Sequence, residues 1–138
     1  SLLRPGEALP RDLTLVRQSI ALASVSSRLL ERGYGYVRIS YFEGDTADEL
    51  RRALAALERS SGGALSGLVL DLRNNPGGLL TTAVQVADQF LDGGPIVSTR
   101  GRTAAANALY RASPGDRLQG APIAVLLDVG TASSSEVV

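Results

Sequence analysis

Two short segments of this chain hold the residue types that acyl-transfer chemistry needs. One is Asn74-Asn75-Pro76-Gly77-Gly78 and the other is Gly130-Thr131-Ala132-Ser133-Ser134-Ser135-Glu136. Each follows a strongly apolar run, Gly67–Leu72 in the first case and Pro122–Asp128 in the second. Each is also read as opening a helix, where free backbone N–H groups and the positive dipole end favour an anion. Gly77 and Gly78 have no Cβ, so a substrate carbonyl can come close to their amides, which is what an oxyanion hole requires. A tight strand-to-helix turn accounts for the same glycines. A serine at the start of the second helix would present its hydroxyl to solvent, with the following amide as a second oxyanion donor. Helix capping by Ser and a dipole-complementing Glu explains the same residues. The flanking glycines of a Gly-x-Ser-x-Gly elbow are missing. Asp71 and Asp128 each close an apolar run, in the place of a base-orienting or loop-bonding carboxylate. Arg73 is suited to a bidentate carboxylate clamp, and its simplest partners are Asp71 and Glu136.

A serine hydroxyl is a poor nucleophile until a base takes its proton, and here the composition is restrictive. The 138 residues contain no His and no Cys, and all fourteen basic residues are Arg. Disulfides, thiolate metal sites and a histidine or lysine base within these residues are therefore excluded. Fourteen acidic residues balance the arginines, so there is no electrostatic footprint for nucleic acid or an anionic membrane. No apolar run is long enough to span a bilayer. Neither a cofactor nor a metal is expected. The chain has no Met, and Ser135 to Val138 reads as the first turn of a helix. A piece of a longer protein is expected.

The elements that must hold the two segments are legible from periodicity. Tyr34–Ile39 reads as a strand, with Tyr36 on one face and Val37 and Ile39 on the other. Thr46 and Glu49 form a Thr-x-x-Glu capping box in front of Leu50, Ala53, Leu54 and Leu57, predicting a helix over 47–59. A second helix carries Ala83, Val84, Ala87, Phe90 and Leu91 and stops at Gly93-Gly94-Pro95. Strands over 96–99 and 122–128 follow, separated by an irregular Arg/Ala-rich stretch. Leu13–Val25 suggests one or two bent strands. Continuous apolar strands alternating with helices predict an α/β fold with parallel βαβ crossovers.

The segment Gly67–Leu80, containing Asp71-Leu72-Arg73-Asn74-Asn75-Pro76-Gly77-Gly78, resembles the central motif of the C-terminal processing (tail-specific) serine peptidases, family S41. Val86-Ala87-Asp88-Gln89-Phe90-Leu91 resembles the helix that follows it in the family. Asp128–Glu136 is similar to the nucleophile segment, usually (Ser/Thr)-Ala-Ser-Ala-Ser-Glu. The resemblance implies a ClpP/crotonase-like βαβ core over 25–138, preceded at 1–24 by the last strands of a PDZ module. It implies Ser133 as nucleophile, and an oxyanion hole from the Ser134 amide and an amide at Gly77 or Gly78. Glu136 and Arg73 fall in the supporting network. The general base it implies is a lysine beyond Val138, so these residues alone are expected to be inactive. Ser134 departs from the usual Ala while keeping the amide, which makes Ser134→Ala an expected near-neutral change.

The implied partners are protein or peptide substrates with accessible C-termini and, in assembly, copies of the same chain; the implied location is the bacterial cell envelope. Two other readings use the same residues. One is a non-catalytic, peptide-binding relative of the same fold. The other is a crotonase-like acyl-CoA enzyme, which also uses glycine oxyanion holes but has no need of a helix-opening serine cluster.

Overall fold

A computed structural model describes residues 1–2, 4–6, 9–14, 16 and 23–138. The strands expected within 13–25 fall mostly outside the described residues. Of the proposed PDZ remnant, the structure describes one isolated antiparallel bridge between Leu2 and Arg11.

Four strands form the main sheet: β1 (Val25–Glu31), β2 (Tyr34–Ile39), β3 (Gly67–Asp71) and β6 (Ile123–Leu126), in the order β1-β2-β3-β6. β1 and β2 form an antiparallel hairpin, while β2–β3 and β3–β6 are parallel. Helix α1 (Thr46–Ser61) links the first parallel pair, and α2 (Leu80–Asp88) lies in the connection of the second. The expected α/β architecture is therefore present. Leu50, Leu54 and Leu57 of α1 and Ala83 and Val86 of α2 share one core with Val37, Ile39, Leu68 and Leu70 of the sheet. Each fully buried Leu among them contributes about 2 kcal/mol by removal from water.

Three local expectations are corrected, and one strand is added. The Thr46/Glu49 capping box does not form, and Asp45 occupies the N-cap without a side-chain cap bond. Glu49 instead accepts from the Ser24 amide, the Ser24 hydroxyl and the Val25 amide, at 2.8, 2.8 and 3.1 Å. Three donors at the start of β1 outcompete the single amide that a capping box offers. Residues 25–31, not singled out from the sequence, form an edge strand whose exposed Ser26, Ser27 and Arg28 hide the pattern of a buried strand. The strand at Pro95–Thr99 (β4) leaves the main sheet and pairs with Ala108–Arg111 (β5), inside the stretch expected to be irregular. The second helix ends at Asp88, and Phe90 packs against the core from the turn beyond it.

Main-chain direction brings the chemistry to one end of the sheet. Because β3 and β6 are parallel and in register from Leu68–Ile123 to Asp71–Leu126, the loops that follow both strands leave at the same edge.

Candidate active site

The first loop is anchored by Asp71, which has no exposed surface. Its carboxylate accepts from Arg73 Nε at 2.9 Å and Nη2 at 2.7 Å, and from the Arg73 amide at 3.0 Å. The Tyr36 hydroxyl donates to it at 2.6 Å and Arg38 Nη1 at 3.2 Å. The Arg73 side chain, then Tyr36 and the Arg73 amide, hold this carboxyl well below the usual carboxylate range, overriding burial, which pushes the other way. Arg73 is the clamp that its chemistry suggested, and the carboxylate it clamps is internal.

Asn75 is the hub of the turn. It is fully buried, and its Nδ2 donates to the Ile39 carbonyl at the end of β2 (3.0 Å) while its Oδ1 accepts from the Gly77 amide (2.9 Å). Its backbone carbonyl accepts from the Ala132 amide at 3.0 Å and the Ser135 hydroxyl at 2.9 Å. Asn75 thus ties the strand, the glycine turn and the serine loop together. In the sequence it reads only as a turn former, because its partners lie 36 and 60 residues away.

Asp128 fastens the second loop. Its Oδ1 accepts from the Asn74 amide at 2.8 Å and the Gly130 amide at 2.9 Å. The Asn74 amide first, then Gly130 and Thr131, hold its carboxyl below the ordinary value. Thr131 Oγ1 donates to the Leu72 carbonyl at 2.8 Å and accepts from the Asp128 amide at 3.0 Å. These contacts bend the chain out of β6 before residue 128, so the strand is shorter than its apolar run.

Ser133–Glu136 forms a single 3-10 turn, and it gives the three serines different fates. Ser134 and Ser135 are buried, at 5% and 2% exposure. The Ser134 hydroxyl donates to the Gly78 carbonyl at 2.8 Å, and the Ser135 hydroxyl to the Asn75 carbonyl. Ser133 is exposed, and its hydroxyl makes no hydrogen bond among the described residues. Its backbone sits at φ 57°, a left-handed conformation that costs a residue with a side chain about 1–2 kcal/mol. Glu136 holds that conformation by accepting from the Ser133 amide at 2.8 Å. Glu136 therefore belongs to the network around Ser133, and Arg73 to the foundation of the opposite loop.

The two glycines divide in the same way. Gly77 is buried and its amide is committed to Asn75 Oδ1. Gly78 is exposed, and its amide has no acceptor among the described residues. The Gly77 carbonyl accepts from the Phe42 amide. In a trans peptide N–H and C=O point oppositely, so the Gly78 N–H is directed away from Phe42. The Ser134 amide likewise has no acceptor among the described residues. A Cβ built on Gly77 would lie 2.8 Å from Ser133 Cβ and 2.9 Å from the Ser134 amide nitrogen. The glycine turn and the serine turn are thus in direct contact, with an exposed hydroxyl and two unengaged amides on them. Such a set can hold a carbonyl oxygen as it becomes an anion while a neighbouring oxygen attacks its carbon. Among the described residues no group of three or more acidic side chains is arranged to hold a metal ion.

The absence of a Cβ is required here by contact as well as conformation. Gly77 sits at φ 99° and Gly78 at φ 142°, and a Cβ on Gly78 would overlap the Phe42 carbonyl. Gly77→Ala and Gly78→Ala are each expected to destabilise the chain by more than about 2 kcal/mol, from strain and forced backbone displacement. Gly62, at φ 80° with nothing within 4 Å of its built Cβ, is the control, and Gly62→Ala should cost only about 1 kcal/mol. Thermal melting of the three variants decides it, and equal losses would remove the close-approach argument.

Comparison with known proteins identifies the family. The model of Peptidase family S41 matches residues 33–138. A carboxy-terminal-processing protease of Bartonella bacilliformis is 41% identical over 136 residues, covering 98% of this chain and 31% of the relative. A carboxyl-terminal-processing protease of Synechocystis sp. is 35% identical over 140 residues, covering 99% of this chain and 32% of the relative. Among solved structures, a photosystem II D1 C-terminal processing protease matches with a TM-score of 0.69 at 30% identity, over 87% of this chain and 33% of that one. The chain spans about a third of the length of these curated relatives.

Proposed function

The chain belongs to peptidase family S41, and from that premise we propose that it forms the nucleophile-bearing part of a C-terminal processing serine peptidase with Ser133 as the attacking residue. The observation that carries this is the sorting of the serine triplet: two hydroxyls are buried and spent on the opposite loop, and the third is exposed beside two unengaged amides. Ser133 Oγ attacks the scissile carbonyl carbon and loses its proton to a base. The carbonyl oxygen becomes an anion held by the Gly78 and Ser134 amides, and its collapse expels the amine, which takes the proton. Water then releases the acyl group by the same steps. Gly77 supports the hole through its contact with Ser133, its own amide being occupied.

On the family resemblance the base is a lysine outside these 138 residues, which themselves contain neither Lys nor His. Burial must lower its pKa for it to accept the serine proton near neutral pH. The substrates are proteins with accessible C-termini, as the relatives' names suggest. The PDZ assignment of residues 1–24 and a cell-envelope location rest on the family resemblance. No helix among the described residues is long and apolar enough to cross a membrane.

A fluorophosphonate probe tests the assignment. In the complete enzyme it should label Ser133, located by peptide mass mapping. The 138 residues alone should turn over a tailed protein substrate at least about 10²-fold more slowly, the usual contribution of a positioned base. Labelling at Ser135 would move the register by two residues. Undiminished turnover by the 138 residues would remove the lysine-base reading.

A further inference from the structure

Ser134 departs from the residue usual at its position in the family, and its hydroxyl makes a bond that alanine cannot make. Its Oγ donates to the Gly78 carbonyl at 2.8 Å, with 56 residues of sequence between them and Ser134 only 5% exposed. The two residues joined by this bond are the two site residues whose amides have no acceptor among the described residues. The clip therefore spans the oxyanion hole itself, side chain of one donor to backbone of the other.

We infer that the Ser134 hydroxyl is a positioning group that sets the separation of the two oxyanion donors in this enzyme. This rests on the reading of Ser133 as nucleophile. Three features make the hydroxyl suited to the task. Gly78 lacks a side chain to restrain it and sits at φ 142°, so its peptide planes need an external anchor. The Gly77 carbonyl is already held by the Phe42 amide, and the Leu79 amide by the Phe42 carbonyl. One face of the Gly78 turn is thus pinned to Phe42, and the Ser134 clip pins the other. The other ties between the loops, from the Ser135 hydroxyl and Ala132 amide to the Asn75 carbonyl, from the Asn74 amide to Asp128 and from Thr131 to the Leu72 carbonyl, act three or more residues before Gly78. They hold the loops together without fixing the Gly78 plane. A part-buried hydrogen bond resists small displacements, and oxyanion donors act only when preorganised to within about half an ångström.

The test is Ser134→Ala in the complete enzyme, a smaller residue that keeps the amide. Where the family pattern alone implies a near-neutral change, the bond to Gly78 predicts a variant that folds normally and lowers kcat about tenfold, with KM within about twofold, as expected for an interaction realised in the transition state. Affinity for a peptidyl aldehyde, whose adduct places an oxyanion in the hole, should weaken by the same factor. Binding of the product peptide should not change. Ser134→Thr, which restores the hydroxyl, should recover most of the aldehyde affinity.

Ser134→Ala with kcat and aldehyde affinity within twofold of the parent overturns the proposal. So does a variant in which aldehyde and product-peptide affinities fall together, because that describes a general loosening of the loop. Fluorophosphonate labelling of the parent separates the two levels of inference. A parent that fails to label at Ser133 removes the nucleophile assignment, and the clip's catalytic role with it. A parent that labels, beside an unaltered Ser134→Ala, removes the clip alone.

Discussion

Ser133→Ala in the complete enzyme should abolish processing, lowering kcat by about 10⁴-fold or more, because no other hydroxyl on this loop is free to replace it. Ser134 and Ser135 are buried and bonded to the Gly78 and Asn75 carbonyls, so neither can turn outward without breaking the contact between the two loops. Stability separates the chemical role from a structural one. Ser133 lies at φ 57°, and alanine keeps that strain while removing a hydroxyl that has no hydrogen bond among the described residues. The melting temperature of Ser133→Ala should therefore match that of the parent. Ser133→Gly should be equally inactive and more stable, by up to about 1 kcal/mol, since glycine adopts the left-handed region without penalty. A dead and destabilised Ser133→Ala would mean that Ser133 is a structural residue of the turn, and an active one would remove the serine mechanism.

Asp71→Asn should be the most destabilising of the polar substitutions. Breaking a fully buried ion pair by removing one partner costs about 3–5 kcal/mol. Here the carboxylate is wholly buried, but the side chains of Arg38 and Arg73 are 33% and 47% exposed. The abandoned guanidiniums can be rehydrated, which points to the lower end, about 3 kcal/mol, or about 10 °C in melting temperature.

Arg73→Ala leaves Arg38 and Tyr36 on the carboxylate and should cost less than Asp71→Asn. The same site predicts the pH response. The folded-state pKa of Asp71 is depressed, so its contribution is fully present above the unfolded value near 4 and is lost as pH falls towards the folded value. Asp128, also depressed, acts in the same direction. Below about pH 4 the parent should lose stability more steeply than Asp71→Asn, since the variant has one fewer proton to take up on unfolding. Parallel pH profiles for the two proteins would show that Asp71 is not the group responsible.

Elements whose information is local could be read from the chain itself. The apolar run Gly67–Leu72 could hardly be other than a strand buried on both sides, and Leu50, Leu54 and Leu57 recur at helical spacing. Both became core elements close to their expected bounds. The two loops that carry the site followed from where those runs end, and the order of motifs was sufficient to indicate the family. Elements with weaker local patterns were less legible. β1 is a mostly exposed edge strand and β5 a four-residue strand, so neither has enough buried positions to imprint a period on the sequence.

The identity of the working atoms was decided by tertiary structure. Three adjacent serines are chemically equal in the sequence, and one is left exposed while the other two bond to the Gly78 and Asn75 carbonyls only because parallel pairing of β3 with β6 sets their loop against Asn75 and Gly78. The same holds for the two glycines, whose amides differ because the Asn75 side chain takes one and Phe42 turns the other outward. Glu49 had a local partner available and chose three donors more than twenty residues upstream. Periodicity records which side of an element is buried, and that is a property of neighbours in sequence. A hydrogen-bond donor's fate depends on which carbonyl the fold delivers to within 3 Å of it, and no local pattern carries that information.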